Sequence, residues 1–234
     1  MGPSATGTIM KIIIIIIVEV LAGAFNAQGQ SNLTKSEIIN VWLSKTRIYN
    51  TFEDSGNATF SPSVSNEITF FIDSLKKSGI DNFIVYTEAY PGYVSLNPCN
   101  DYIYPIYGYL LWTTDNYLAI KSIKGRCQSF ATTIDSLNIF DFFRDNKDEI
   151  QNEIVMPVIL STAGSGKNLT YTMSIIDHEP IYSLYLVSDN TFKTVNFTEN
   201  DLLNENSLFH EHNATLKAIQ LWKIIDRRIK SMRD

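Results

Sequence analysis

The sequence predicts an α+β fold, in which antiparallel strands form hairpins and a three-stranded meander that pack with about four helices. Three observations lead to this prediction. Two amphipathic helical patterns come first, strand patterns joined by short turns follow around one further helical segment, and a long helical pattern closes the chain. This order is not the regular alternation of strand and helix that builds a parallel sheet. With 44% hydrophobic and 19% charged residues, the composition is that of a packed globular protein.

The first 27 residues have the pattern of an export signal. Lys11 supplies the positive start, residues 12–18 form an uninterrupted apolar run, and small residues within 22–28 offer a cleavage site. Met10 is the expected start of translation, since the polar residues before it are not part of such a pattern. The apolar run is shorter than the ~20 residues that cross a bilayer, which favours a cleaved signal over an uncleaved N-terminal anchor.

The remaining residues, 28–234, are expected to form a single domain. We expect it to be secreted or extracytoplasmic, and periplasmic in a Gram-negative bacterium, with no transmembrane anchor after cleavage. The net charge of −6 disfavours a nucleic-acid partner, because such proteins need a positive field. The last helical segment is basic, which we interpret as cations that complement the helix dipole. The sequence indicates no cofactor and leaves the oligomeric state open.

Two helices are predicted near the start of the domain. Thr34 and Glu37 have the spacing of a capping box, and apolar residues at helical intervals follow them. The second helix is expected to begin at Ser61 and Pro62, since serine is a good N-cap and proline suits the first helical position. Gly79 is expected to end it.

Two more helices are predicted later in the chain. The apolar residues of 133–150 recur at helical spacing, and that helix would break near Asp145 and Asn146. A long helix is expected to start at about Asn213 and to run to the end of the chain. Trp222 is placed at the centre of its apolar stripe.

Strand patterns and turn residues predict the hairpins. A strand at 83–87 is followed by a proline–glycine turn and by a returning strand at 93–96. A second hairpin pairs residues 102–112 with residues 117–124. Residues 155–160 form a further short apolar strand.

Three later strands are expected to form the antiparallel meander. Residues 169–175 alternate between apolar and polar side chains, which predicts that one face of this sheet is buried. Strands at 181–187 and 192–197 follow across short turns.

The chain has two cysteines, Cys99 and Cys127, and they bracket the second hairpin. In an exported chain this arrangement predicts a disulfide between them. Two free buried thiols are the alternative.

The sequence lacks residues or spacings that the motifs for nucleotide and metal binding require. The loop at 161–168 contains a Gly-Lys pair like that of a phosphate-binding loop, but it lacks the first glycine, and Asn168 replaces the hydroxyl residue. His178, His210 and His212 do not have the spacing of a zinc site, so no metal is expected.

Signals for catalysis and modification are weak. No G-x-S-x-G nucleophile elbow is present, and no catalytic residue is assigned. The acidic residues between 141 and 153 are interpreted as a solvated helix face. Five N-x-[ST] sequences, beginning with those at Asn32, Asn57 and Asn168, carry little weight in a chain so rich in Asn, Ser and Thr.

Tyrosines are concentrated in the strands and turns of the two hairpins. Tyrosine offers a large rigid contact area with a polar tip, as protein and carbohydrate surfaces require. The alternative is that aromatic residues simply favour strands and pair across them. The candidate binding residues are Tyr90, Tyr93, Tyr102, Tyr104, Tyr107 and Tyr109.

These observations favour a non-enzymatic binding or envelope-associated domain that contacts a protein or glycan through an aromatic strand surface. The alternative is an exported hydrolase whose site is dispersed in sequence. Exposed tyrosines without convergent ionisable groups would favour the first, and a deep pocket that holds His178 beside carboxylates would favour the second.

Overall fold

The computed structural model of the protein describes most of the chain from residue 33 onwards. The predicted export signal, the start of the second helix at Ser61, the strand at 93–96 and Cys99 lie outside the described residues. The described residues are 33–45, 53–54, 66–91, 106–114, 117–124, 127–128, 131–134, 138–165, 168–188 and 191–232. Among them, no helix is long and apolar enough to cross a membrane.

The α+β class is confirmed, and four of the described helices have seven residues or more. The helices are α1 Lys35–Lys45, α2 Asn66–Lys77, α3 Asn138–Asp145, α4 Lys147–Asn152, α5 Glu199–Leu203, α6 His210–Thr215 and α7 Lys217–Lys230. The strands are β1 Glu53–Asp54, β2 Phe83–Ala89, β3 Ile106–Thr114, β4 Tyr117–Lys124, β5 Cys127–Gln128, β6 Thr132–Ile134, β7 Ile159–Ala163, β8 Thr170–Met173, β9 Ile181–Ser188 and β10 Thr191–Thr198.

The described strands form one large antiparallel sheet and a separate pair. The order in the large sheet is β1-β10-β9-β2-β3-β4-β5, with β6 also paired to β4, and β7 pairs with β8 in the smaller sheet. The predicted second hairpin is confirmed as β3 and β4, in which Leu111 lies opposite Ile120. β2 lies between β3 and β9, so the sheet brings together residues about a hundred positions apart.

The meander predicted for the three later strands needs a correction. β9 and β10 pair as expected, with Phe192 opposite Val187. β8, however, pairs with β7, where Ile159 lies opposite Met173, and β9 pairs along its other edge with β2. An alternating pattern indicates which side chains share a face but not which strand lies next to it. Among the described strands, β2, β3, β4 and the short β5 are consecutive neighbours in the large sheet and form a meander.

The apolar face of β8 is covered over only part of its length. Leu169 is buried in a cluster with α1, and Tyr171 is half-buried with its ring against Trp42. Met173 and Ile175 are 37% and 82% exposed. The predicted burial of this face therefore holds only for its first half, since the described α1 cluster does not extend to Ile175.

Alternate residues of β2 face two different helical layers. Ile84 and Tyr86 lie in the larger core, with α3 and α7, whereas Phe83 and Val85 lie in the core beneath α2. A strand that is covered on both faces reads as a continuous apolar run, which is how residues 83–86 read.

Two of the predicted helix ends are confirmed by their hydrogen bonds. The Thr34 hydroxyl accepts from the Glu37 amide at 3.3 Å, and the Glu37 carboxylate accepts from the Thr34 amide at 2.7 Å, as a capping box requires. At the C-terminal end of α2, Gly79 has φ +75° and Ile80 donates its amide to the Leu75 carbonyl. Glycine suits this left-handed position because it has no Cβ.

The helix predicted for 133–150 begins later than expected, because residues 132–134 form β6 on the edge of β4. The predicted interruption is confirmed: α3 ends at Asp145 and α4 begins at Lys147. Similarly, the strand expected at 155–160 starts only at Ile159. The Met156 amide and carbonyl both bind the side chain of Asn213, so this backbone does not pair in a sheet.

The final helix is two helices and not one. α6 ends at Thr215, Leu216 is extended with ψ 135°, and α7 starts at Lys217. Glu153 supports the new start, because its carboxylate accepts from the Lys217 amide at 2.7 Å and from the Ala218 amide at 2.8 Å. A carboxylate at a helix N-terminus satisfies free amides and complements the dipole.

Replacement of Glu153 should therefore weaken the attachment of α7. We expect Glu153→Ala to lower the free energy of unfolding by about 1 to 2 kcal/mol, the usual range for loss of an N-terminal cap. Urea unfolding followed by circular dichroism measures this change. Glu149→Ala is the matched control, since Glu149 is exposed on the neighbouring α4, and equal midpoints for the two variants would contradict the capping role.

Candidate binding site

The candidate site lies at one end of the large sheet, where the ends of β2, β3, β9 and β10 meet. Pairing places Glu88 of β2 opposite Tyr107 of β3 on one side and opposite Tyr182 of β9 on the other. Tyr182 in turn lies opposite Phe197 of β10. Residues opposite each other in neighbouring strands share a face, so a carboxylate is flanked by two tyrosines in one row.

The next row of the sheet supports this carboxylate from within the core. Tyr86 stacks on Tyr109 with ring centroids 5.9 Å apart and on Tyr182 at 6.5 Å. Its hydroxyl donates to Glu88 Oε1 at 2.8 Å, and the hydroxyl of Tyr90 donates to Glu88 Oε2 at 3.4 Å. Both oxygens of the Glu88 carboxylate therefore accept a hydrogen bond from a phenol.

Helix α7 contacts the site through the side chain of Trp222. Trp222 donates its Nε1 hydrogen to the Tyr86 hydroxyl at 3.3 Å, and its ring contacts Tyr182 and Phe197 with centroids 5.2 and 5.1 Å apart. One turn further along α7, Asp226 forms an ion pair with Lys230, with Nζ 2.7 Å from Oδ2. A hydrogen-bonded chain thus runs from the helix through Tyr86 to the carboxylate at the strand end.

The members of the site differ sharply in exposure. Tyr86 and Glu88 are 0% and 2% exposed, whereas the side chains of Tyr90, Tyr107 and Trp222 are half-buried. The rings of Tyr90 and Tyr107 meet edge to face with centroids 5.8 Å apart. The polar groups therefore lie beneath a layer of partly exposed aromatic rings.

Burial and nearby carboxylates raise the pKa of two tyrosines of the site, Tyr182 and Tyr86. Burial raises the pKa of Tyr182 to about 12, and the carboxylates of Glu199 and Glu88 contribute in the same direction. Burial is also the main reason why the pKa of Tyr86 is raised, followed by the charge of Glu88. Both phenols keep their protons at neutral pH, so the Tyr86 hydroxyl stays a donor to the carboxylate.

The structure divides the tyrosines that the sequence proposed for binding. Tyr90 and Tyr107 meet at the solvent side of the site, as described above. Tyr109 is only 5% exposed, so its side chain does not belong to an exposed surface. It shares a face with Tyr107 but lies two residues further into the sheet, within the larger core cluster. The predicted residues outside the described part of the chain are Tyr93, Tyr102 and Tyr104.

The predicted disulfide also stays a prediction. Cys99 lies outside the described residues, and only the backbone of Cys127 is described, in β5 opposite Lys124.

Several members of the site were not among the candidates from the sequence, and they include Glu88, Tyr182 and Asp226. Glu88 has a detectable signal, since it is a carboxylate near the end of a strand that begins with an apolar run. Tyr182 and Asp226 have none, because a tyrosine in a strand and an aspartate in an amphipathic helix are both ordinary. Their role depends on strand order and helix placement.

The histidines are not part of this site. His178 lies in a turn with φ 64°, its Nδ1 is 3.3 Å from Asp177, and its side chain is 59% exposed. His212 Nε2 lies 3.1 Å from the Ile154 carbonyl, beside α6. In the described ranges, no group of three or more His, Cys, Asp or Glu side chains is placed to hold a metal ion.

The loop that resembled a phosphate-binding loop joins two strands. It follows β7, turns at Gly164 with φ +83° and leads into β8, a strand, whereas a phosphate-binding loop leads into a helix. The acidic residues of α3 and α4 are largely exposed as expected, and Arg144 pairs with Asp141 at 2.8 Å. Glu153 is the exception, because it caps α7.

Comparison of the chain with protein-family models, with curated proteins and with solved structures found no match. The assignment of a function therefore rests on the chemistry and geometry of the site.

Proposed function

We propose that the protein is an exported, non-enzymatic binding or envelope-associated domain that contacts a protein or a glycan through its tyrosine surface. This surface consists of the exposed parts of Tyr90, Tyr107, Tyr182 and Trp222. Tyr93, Tyr102 and Tyr104 stay candidates for the same surface by their position in the sequence.

The observation that carries the proposal is the arrangement of rings over a buried polar network. Glu88 fixes the Tyr90 hydroxyl and Tyr86, and Tyr86 in turn holds Trp222, so the aromatic groups are ordered before a ligand arrives. Rigid aromatic side chains lose little conformational entropy on binding, which is why they act as anchors at interfaces. The surface is therefore suited to recognition.

The same network disfavours acid–base chemistry at Glu88. A general acid or base must come within hydrogen-bond reach of its substrate. Glu88 is 2% exposed, and its two oxygens accept from Tyr86 and Tyr90. In this arrangement the carboxylate supports the rings above it.

A hydrolase is the second candidate, and one observation favours it. Burial is the main cause of the raised pKa of Tyr86, and the charges of two carboxylates, Glu88 on a strand and Asp226 on a helix, raise it further. Paired carboxylates are the groups that cleave glycosidic bonds. Release of nitrophenol from 4-nitrophenyl glycosides by the parent protein, and its loss in Glu88→Gln, would favour this candidate over a binding domain.

The binding proposal predicts the behaviour of a double variant, Tyr90→Ser with Tyr107→Ser. We expect it to lose retention on an oligosaccharide array, or capture of a protein from cell extracts, because two of the exposed rings are removed. The loss of stability should stay near 1 to 2 kcal/mol, since both side chains are only half-buried.

Tyr117→Ser is the matched control. Tyr117 is 50% exposed, but it lies opposite Thr114 at the hairpin turn, at the other end of the sheet from Tyr107. Binding should survive in this variant. A double variant that retains every ligand of the parent would rule out the tyrosine surface as the binding site.

A further inference from the structure

We propose that Asn168 and Asn196 are sites of N-linked glycosylation when the chain passes through a eukaryotic secretory pathway. They begin the sequences Asn-Leu-Thr and Asn-Phe-Thr, which have the acceptor pattern N-x-[ST]. The proposal is independent of the tyrosine surface, but it rests on the proposed export.

The folded structure separates three N-x-T sequences that look alike in the chain. Asn168 is exposed just before β8, and Asn196 is exposed on β10. Neither side-chain amide has a hydrogen-bond partner among the residues that the structure describes. A glycan on either nitrogen projects into solvent without breaking a described contact.

Asn213 begins the third of these sequences, Asn-Ala-Thr, and its surroundings exclude a glycan. The residue is 0% exposed, and its Nδ2 donates to the Met156 carbonyl at 2.7 Å and to the Asp201 carbonyl at 2.8 Å. A glycosylated amide nitrogen keeps only one hydrogen, so one of these buried carbonyls would lose its donor. A sugar also has no space at a fully buried nitrogen. A chain modified at Asn213 would not reach this fold.

The modification is a group transfer from a lipid-linked oligosaccharide diphosphate. The side-chain nitrogen of the asparagine forms a bond to the anomeric carbon, and the bond from that carbon to the diphosphate oxygen breaks. The polyprenyl diphosphate leaves, and the nitrogen gives up one proton. The hydroxyl residues at the third position are Thr170 and Thr198.

The test is secretion of the full chain from cultured insect cells, in two forms. One form keeps its own first 27 residues, and the other carries an export signal of proven function in their place. The secreted protein is treated with peptide N-glycosidase in heavy-oxygen water, which converts each glycosylated asparagine into labelled aspartate that mass spectrometry detects. We expect label at Asn168 and Asn196, and none at Asn213.

Variants assign the glycans one by one. Asn168→Gln and Asn196→Gln should each remove one glycan from the secreted protein. Thr170→Ala should also remove the glycan at Asn168, whereas Thr170→Ser should keep it, which separates loss of the acceptor sequence from loss of folding.

Each outcome decides the proposal. An unmodified Asn168 or Asn196 in protein secreted behind the proven signal overturns the assignment of that residue, and label at Asn213 in folded protein overturns the burial argument. Retention of the form with its own leader, together with label behind the proven signal, supports the two sites and contradicts the proposed export. Neither result changes the binding test of the tyrosine surface.

Discussion

Asn213→Ala is expected to be among the most destabilising single substitutions in this protein. The side chain is 0% exposed and makes three hydrogen bonds, to the amide and carbonyl of Met156 and to the Asp201 carbonyl. Alanine leaves all three backbone groups without this partner, and a buried unsatisfied group costs about 1 to 3 kcal/mol. We expect a loss of about 3 to 6 kcal/mol, a large part of the 5 to 15 kcal/mol that is typical of a domain.

Urea unfolding followed by circular dichroism measures this loss, and Asn152→Ala is the control. Asn152 is exposed, and its side chain donates a single local hydrogen bond to the Asp148 carbonyl at 2.8 Å. Its replacement should cost less than about 1 kcal/mol. Asn213→Asp should be no more stable than Asn213→Ala, because it keeps the acceptor, removes both donors and adds a buried charge. Similar midpoints for Asn213→Ala and Asn152→Ala would contradict this account.

Local signals explain the parts of the fold that the sequence predicts well. The capping box at Thr34 and Glu37, the glycine end of α2 at Gly79 and the hairpin of β3 and β4 depend on residues that are close in the chain. The break after Asp145 belongs to the same class. For such features the paired residues lie in one short segment of the chain, so a local pattern in the sequence contains both of them.

Hydrogen bonds between residues far apart in the chain explain two element boundaries that the sequence did not predict. Asn213 and Met156 are 57 positions apart, and Glu153 caps a helix that begins 64 positions later. The first contact keeps the Met156 backbone out of a sheet, so the strand expected at 155–160 starts only at Ile159. The second contact stabilises a new helix start after Leu216. Neither partner is recognisable without the other, because a buried asparagine and a capping glutamate look like surface residues in a sequence.

In the candidate site, too, local sequence patterns do not show which side chains tertiary packing buries. Tyr107 and Tyr109 are two residues apart on one strand and point to the same face, yet one is half-exposed and the other is buried. Tyr109 lies within the larger core cluster, whereas Tyr107 only packs against it, and a tyrosine-rich pattern does not encode this difference in tertiary packing. Residue type therefore predicted the region of the surface, and tertiary packing decided its members.

Trp222→Ala is expected to have the second large effect, and it tests whether α7 and the tyrosine surface form one unit. The sequence placed Trp222 at the centre of the buried stripe, but the structure leaves it half-buried. The buried residues of α7 are Ala218, Ile219, Leu221, Ile225 and Ile229. Loss of the ring still removes its contacts with Tyr182 and Phe197. We expect a loss of about 3 kcal/mol, at the low end of the range for replacing a buried tryptophan.

Trp222→Phe separates the ring contacts from the hydrogen bond to Tyr86. Phenylalanine keeps an aromatic ring but has no N–H, so the Tyr86 hydroxyl loses one donor while it still donates to Glu88. This variant should lose about 1 kcal/mol, the usual net value of one hydrogen bond. Unfolding in urea followed by circular dichroism gives both values without depending on tryptophan fluorescence. If Trp222→Ala leaves the midpoint of the parent unchanged, α7 does not hold the aromatic cluster, and Tyr86 and Glu88 must order the tyrosine surface without the helix.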